Sequence, residues 1–183
     1  FAMRCVGGHH AELATFCAMM DLPPPVQEKS VNIINKKTIL KACTTVQKAS
    51  CKKAAQTEHK LAQGEEGDPC RDVDVSSDGT WMTPGHSSMI GLVTTVGCTT
   101  GKVLDVEVKS KSCKSCDYWS KQDKTSDAFR QWELTHVCNV THEESSGSME
   151  AEATKTIFER SVDDHKLRYT RFIGDGDTNT YKK

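Results

Sequence analysis

Three strand-like stretches, a polar segment, one helical stretch and a last strand follow each other in this chain, and that order restricts its fold more than any other feature. "RDVDVSSDGTW" (71–81) alternates polar and apolar residues through Val73 and Val75. "SSMIGLVTTVGC" (87–98) is a more continuous apolar run, and "GKVLDVEVKS" (101–110) alternates again through Val103, Val106 and Val108. Alternation with a period of two marks a half-buried strand, and Gly101 marks the hairpin turn before the third one. "SMEAEATKTIFERSVDDH" (148–165) then places Met149, Ala153, Thr156 or Ile157, and Phe158 at helical spacing, with Ser148 as its cap, and "LRYTRFIGD" (167–175) is strand-like again. A helix that returns to a strand beside the first is a βαβ crossover, which lays the fourth strand parallel to the first. Asp78 near the end of strand one and Asp175 at the end of strand four then lie side by side.

The residues upstream have a different texture. "HHAELATFCAMM" (9–20) carries Leu13, Phe16, Cys17 and Met20 at helical spacing, and the helix must end before Pro23-Pro24-Pro25. From about Ser30 to Gln63, Ile39, Cys43, Val46, Ser50, Ala54, Thr57 and Leu61 recur every three or four residues: one long amphipathic helix, or two shorter ones, with lysines on the wet face. "GEEGDP" (64–69) is a linker by composition. The expected organisation is a helical amino-terminal region, 1–66, followed by an α/β (α+β) core, 67–183, with an insertion at about 109–146.

The length of 183 residues suits one domain with an appendage, and 24 basic against 25 acidic residues give a net charge of -1, so no global positive field advertises a nucleic-acid partner. Lysines nevertheless crowd locally, at 36, 37, 41, 48, 52 and 53 and again at 109, 111, 114, 121 and 124. Nine cysteines, an odd number mostly scattered through apolar stretches, point to a reducing compartment rather than a disulfide scaffold. The Asn139-Val-Thr141 sequon then goes unused. No signal pattern follows the opening Phe-Ala-Met-Arg and no apolar run approaches about eighteen residues, so the chain reads as soluble, with no membrane partner, and as an internal fragment.

Two carboxylates held close together repel each other unless a divalent cation neutralises them. Asp78 and Asp175 therefore imply a hard-metal site, for Mg²⁺ or Mn²⁺, able to activate water or a 3′ hydroxyl in phosphodiester cleavage or strand transfer. Asp177 is the close neighbour. Glu150, in the first turn of the helix, is a third candidate ligand, although an acid there also complements the helix dipole, as Glu152 does equally well. "DGT" and "DGD" are also ordinary turn sequences. The second site is sulfur-rich. Cys113-Lys-Ser-Cys116 and Cys138-Asn-Val-Thr-His142 are two pairs at ligand spacing, suited to tetrahedral Zn²⁺ that would rigidify a polar insertion. His136 is the spare ligand, and a redox C-x-x-C is the competing reading.

On these residues the chain resembles the Mutator-like transposase domain found in many animal genomes. "VSSDGTW", "HSSMIGLVTTV", "TGKVLDVEVKSKSCKSC", "EESSGSMEAEATKTIFERS" and "LRYTRFIGDGDTNTY" carry the resemblance, together with "MRCVGGHHAELATFCAMMDLPPPV" upstream. It implies a ribonuclease H-like mixed sheet of the DDE type, a metal-dependent transposase or nuclease ancestry, DNA as substrate, a nuclear location and no small-molecule substrate. Asp78 becomes the first acid, and Asp175, with Asp177 beside it, the second. The third acid would lie on a later helix, past Lys183. The cysteine and histidine pairs match the family's insertion, whereas Met82-Thr83-Pro84 stands where the family-like pattern often has a basic residue. The other expectation, of a different class, is a domesticated or truncated DNA-binding or protein-interaction module without catalysis; self-association is open in both.

Overall fold

A computed structural model of the chain describes residues 8–62, 64, 67–83 and 87–174. Two compact units follow each other, the first reaching Ser50 and the second starting at Cys51. In the first, α1 (His10–Met19) starts where the His9 N–H donates to Glu12 Oε2 at 2.9 Å, which satisfies a backbone group at the helix entry. Asp21, in the left-handed region at φ 51°, follows its end and turns the chain toward the prolines. Of the apolar stripe on α1 only Cys17 is buried, while Phe16, Met19 and Met20 are exposed. Helix α2 (Glu28–Ile34) passes through a π-helical turn (Asn35–Ile39) into α3 (Leu40–Leu61), so the long periodic stretch is one helical path with a widened turn in it.

The second unit is built on a mixed sheet of β1 (Arg71–Trp81), β2 (Ile90–Gly97), β3 (Val103–Ser110) and β4 (Leu167–Ile173) in the order β3-β2-β1-β4. β2 is antiparallel to both β1 and β3, and β4 is parallel to β1. Helix α6 (Ser148–His165) supplies the crossover, while the short α4 (Lys114–Trp119) and α5 (Asp127–Thr135) lie in the insertion after β3. The α/β class and the mixed sheet with its fourth strand beside the first are as the sequence pattern expects.

Alternation along β1 separates the two faces. Val73, Val75 and Ser77 are buried, whereas Asp72 before them and Asp78 after them are exposed. The buried side carries the core: Val73, Val75, Leu104 and Leu167 pack with Ala54 and Ala55 of α3, and Val93 packs with Ala153 and Ile157 of α6. Helix α6 comes very close. A Cβ on Gly91 would stand 2.3 Å from the Trp81 ring and 3.3 Å from Met149 Sδ, so the indole occupies space that any side chain at Gly91 would need. At the β3 edge of this face the contacts are ionic. Arg160 donates to both carboxylate oxygens of Asp105, at 2.7 and 2.8 Å, and to Glu107 at 2.6 Å. That bidentate geometry satisfies the buried Asp105 and holds the guanidinium firmly protonated.

The parallel pair contains one irregularity. Val73 lies opposite Tyr169 and Asp74 opposite Arg171, which leaves Thr170 as an extra residue in β4. Tyr169 and Phe172 consequently both reach the helix side, where each meets Phe158 edge-on at centroid distances of 5.1 and 5.8 Å. On the other side Arg168 pairs with Asp72 at 2.6 Å, and Arg171 pairs with Asp74.

Ile157 is fully buried where α6 meets the sheet. Ile157→Ala should therefore cost roughly 2–5 kcal/mol of unfolding free energy, measured by urea denaturation. A loss indistinguishable from zero would mean that α6 does not carry this core.

Candidate metal centre

β3 runs straight into a compact sulfur site. Cys113 caps α4 and Cys116 lies one turn further on, so their thiols share one side of the helix. His136 follows α5 in extended backbone and Cys138 is two residues beyond, a spacing that returns both to one side of the chain. The segment after Cys138 is tied to the strand end just before Cys113. Thr141 and His142 N–H groups donate to the Ser110 carbonyl at 2.8 and 3.1 Å, and Ser110 N–H donates to Thr141 Oγ1 at 2.9 Å.

The Cys113, Cys116 and Cys138 Sγ atoms and a ring nitrogen of His136 all lie within 4.8 Å of one another. His136 Nε2 is 3.6 Å from Cys113 Sγ and 3.1 Å from Cys116 Sγ, and the Cys116 and Cys138 sulfurs are 3.6 Å apart. Zinc takes sulfur at about 2.3 Å and nitrogen at about 2.0–2.1 Å, so the corners of its tetrahedron stand about 3.5–3.8 Å apart. Two of the three spacings fall on that figure and the third is slightly short of it. A disulfide needs about 2.05 Å, and all three cysteines are free. The donor set thus fits a tetrahedral soft-ligand ion.

Electrostatics favours the same occupant. Backbone N–H groups of Asn139 and Cys116 bring the Cys113 thiol down to about 6, while burial and the neighbouring thiols of Cys138 and Cys113 push the Cys116 thiol up to about 12. The crowded sulfurs resist becoming thiolates together, and a divalent cation removes that conflict. Aromatic rings hold the imidazole in place. Trp132 stacks on His136 with centroids 4.6 Å apart and on Trp119 at 5.5 Å, and its Nε1–H donates to Ser115 Oγ at 2.8 Å.

His142, the ligand that the C-x-x-x-H spacing names, does not join the thiols. Its buried ring turns Nδ1 to the Glu152 carboxylate and Nε2 to the Ser145 carbonyl at 2.9 Å and Ser148 Oγ at 3.0 Å. Burial opposes the charge on Glu152, yet Lys109 at 3.0 Å and His142 outweigh it and hold the carboxyl below its ordinary range. The imidazole of the cluster is His136, and its mark in the sequence is the H-x-C of His136 and Cys138.

The predicted acids are placed differently from one another. Asp78 is exposed on the side of β1 away from the helices, with Oδ1 accepting the Gly79 N–H at 2.8 Å. Glu150 lies on the helix side: its Oε2 is 2.9 Å from where a Cβ of Gly79 would be. Successive strand residues face opposite ways, so Glu150 and Asp78 are on opposite faces of β1. Asp175 and Asp177 lie outside the described residues. Among the described residues, the sulfur site alone brings three or more such side chains close enough to share an ion.

A family model described as Mutator-like transposase matches residues 1–183. The chain belongs to the Mutator-like transposase family. Searches of curated proteins and of solved structures gave no match. Among the described residues of this Mutator-like transposase chain, no helix is long and apolar enough to cross a membrane. Its Cys₃His set is closed, with four protein donors and no open position, which is the pattern of a structural rather than a catalytic ion.

Purified protein should hold about one equivalent of zinc. Cys113→Ser and His136→Ala should lose most of it while His142→Ala keeps it, as read by elemental analysis and by the visible bands of the cobalt-substituted protein. Loss in His142→Ala with retention in His136→Ala would reverse the ligand assignment.

Proposed function

We propose that this transposase-derived chain binds DNA and takes part in metal-dependent cleavage and transfer of DNA strands, with Asp78 and Asp175 as ligands of Mg²⁺ or Mn²⁺. The observation that carries the reading is the parallel register in which Ser76 faces Ile173. Two residues further along each segment stand Asp78 and Asp175. Asp177 supplies a further carboxylate in the same turn sequence. A hard divalent ion held there would activate the attacking water or 3′ hydroxyl and steady the leaving oxygen.

What the chain's own residues contribute is position. β1 is a strand fixed on both sides by neighbours, so an acid at its end is held by the sheet rather than by a loose loop. The exposure of Asp78 leaves it open to a charged, polymeric substrate. Glu150 has no place in this cradle, because it packs on the other face of β1; the third acid is a different residue. The Cys113, Cys116, His136 and Cys138 set holds Zn²⁺ and keeps the insertion folded beside the sheet. The working location is the nucleus, and 67–183 is the core that carries the chemistry.

The test is nicking of supercoiled plasmid with Mg²⁺ or Mn²⁺ by the parent, by Asp78→Asn and by Asp175→Asn. Activity should fall by at least about 100-fold in each variant if both hold the ion. Nicking that survives both substitutions removes the acid pair from the mechanism. DNA binding with no nicking by the parent favours the inactive binding module instead.

A further inference from the structure

The three thiols of the sulfur site differ in how easily solvent reaches them. Cys113 is buried, Cys116 is partly exposed and Cys138 is exposed. An oxidant in solution therefore meets Cys138 and Cys116 before Cys113. These two are also neighbours already, with their sulfurs 3.6 Å apart. A disulfide holds its sulfurs at about 2.05 Å, so an approach of about 1.5 Å would join them.

The backbone permits that approach from one side. Cys116 belongs to α4, where the neighbouring Ser115 accepts the Trp132 Nε1–H at 2.8 Å, so this half of the pair is held by the aromatic cluster. Cys138 lies in the run 136–143, which belongs to no helix or strand. Val137, Cys138 and Asn139 are all exposed, so no packed side chain opposes a shift of Cys138 toward α4. The one local bond to its sulfur is the Val140 N–H, at 3.4 Å, and it comes from the same segment and moves with it.

We propose that Cys116 and Cys138 are a reversible oxidation site, closed to a disulfide by a low-molecular-weight disulfide and reopened by excess thiol. The Cys138 thiolate attacks one sulfur of the oxidant RSSR, forming Cys138–S–SR and releasing RS⁻. The Cys116 thiolate then attacks Cys138 Sγ, forms the Cys116–Cys138 bond and expels the second RS⁻. Two electrons pass from the two protein sulfurs to the oxidant, which becomes two thiolates. Closure takes away two of the four donors of the Cys₃His set. Cys113 and His136 alone are too few to keep a tetrahedral structural ion, so oxidation empties the site of zinc. The new bond still ties α4 to the end of the insertion, so one cross-link replaces another while His136, stacked on Trp132, loses its part in it. The sulfur pair rests on the geometry alone; the release of zinc rests on the metal-centre reading.

The experiment treats the full chain, as purified, with excess oxidised glutathione and follows zinc with a chromogenic chelator. Remaining thiols are then alkylated and the disulfides mapped by mass spectrometry of tryptic peptides. Cleavage after Lys114 puts Cys113 and Cys116 in separate peptides, so the two pairings are distinguished directly. Zinc should leave in step with a link between the peptides of Cys116 and Cys138, with Cys113 still open to alkylation, and excess dithiothreitol with added zinc should restore the starting state. Cys138→His keeps a donor but cannot form the bond, so it should hold zinc and release it at least about tenfold more slowly than the parent. Cys43→Ser/Cys98→Ser removes two other exposed thiols and should release zinc at the parent's rate. A Cys113–Cys116 disulfide in place of the predicted one overturns the assignment. So does zinc that stays bound after Cys43 and Cys98 have been oxidised. A parent that carries no zinc yet forms the Cys116–Cys138 bond overturns the metal reading and leaves the oxidation site standing.

Discussion

The parallel pairing of β4 with β1 is the constraint on which the rest of the core depends. Without it α6 would have no reason to cross the sheet, and the ends of the first and fourth strands would not be neighbours. The ion pairs along it, Arg168 with Asp72 and Arg171 with Asp74, are exposed, so water screens them and each adds little. Burial does more. Val75, Leu167 and Ile157 are fully buried, and each such side chain contributes about 1.5–3 kcal/mol. The apolar residues therefore fix that the strands pair, while the charges penalise the wrong register.

The insertion solves a different problem. It has too few apolar residues for a core of its own, and Tyr118, Leu134 and Val137 among them are exposed. What holds it is a cluster of three aromatic rings, Trp119, Phe129 and Trp132, together with the sulfur site they support. A metal ion held there would cross-link the start and the end of the segment, and the bonds from Thr141 and His142 to Ser110 tie the segment to the sheet.

Much of this was legible in the sequence, because alternation along β1 and β3 and the helical spacing in 148–165 are direct consequences of burying one face. The C-x-x-C pair was legible for the same reason: ligand spacing is set by local backbone. The choice between His136 and His142 was not, since it turns on Trp132 stacking on one ring while Glu152 and Ser145 capture the other, and ligand spacing alone does not say which imidazole is captured. Glu150 was placed by its position in the first helical turn; which face of β1 it meets depends on the close approach that Gly79 allows. The compact units part at Ser50 and Cys51 within α3, and Ala54 and Ala55 pack on the sheet, although the composition changes only later, at 64–69. A helix can change partners without changing texture.

The single extra residue in β4 has a consequence for how this strand can evolve. Thr170 acts as a phase shift: before it, odd-numbered residues of β4 turn to the helices, and after it even-numbered ones do. Drawing Thr170 into a regular ladder would reverse the side of every residue after it, sending Phe172 into solvent and Arg171 into the core, whereas deleting Thr170 would leave a regular strand with the same residues facing the helices. At any other position of β4 a gained or lost residue turns the strand's apolar side away from the helices, so Thr170 is the one place where its length can change without changing what it buries.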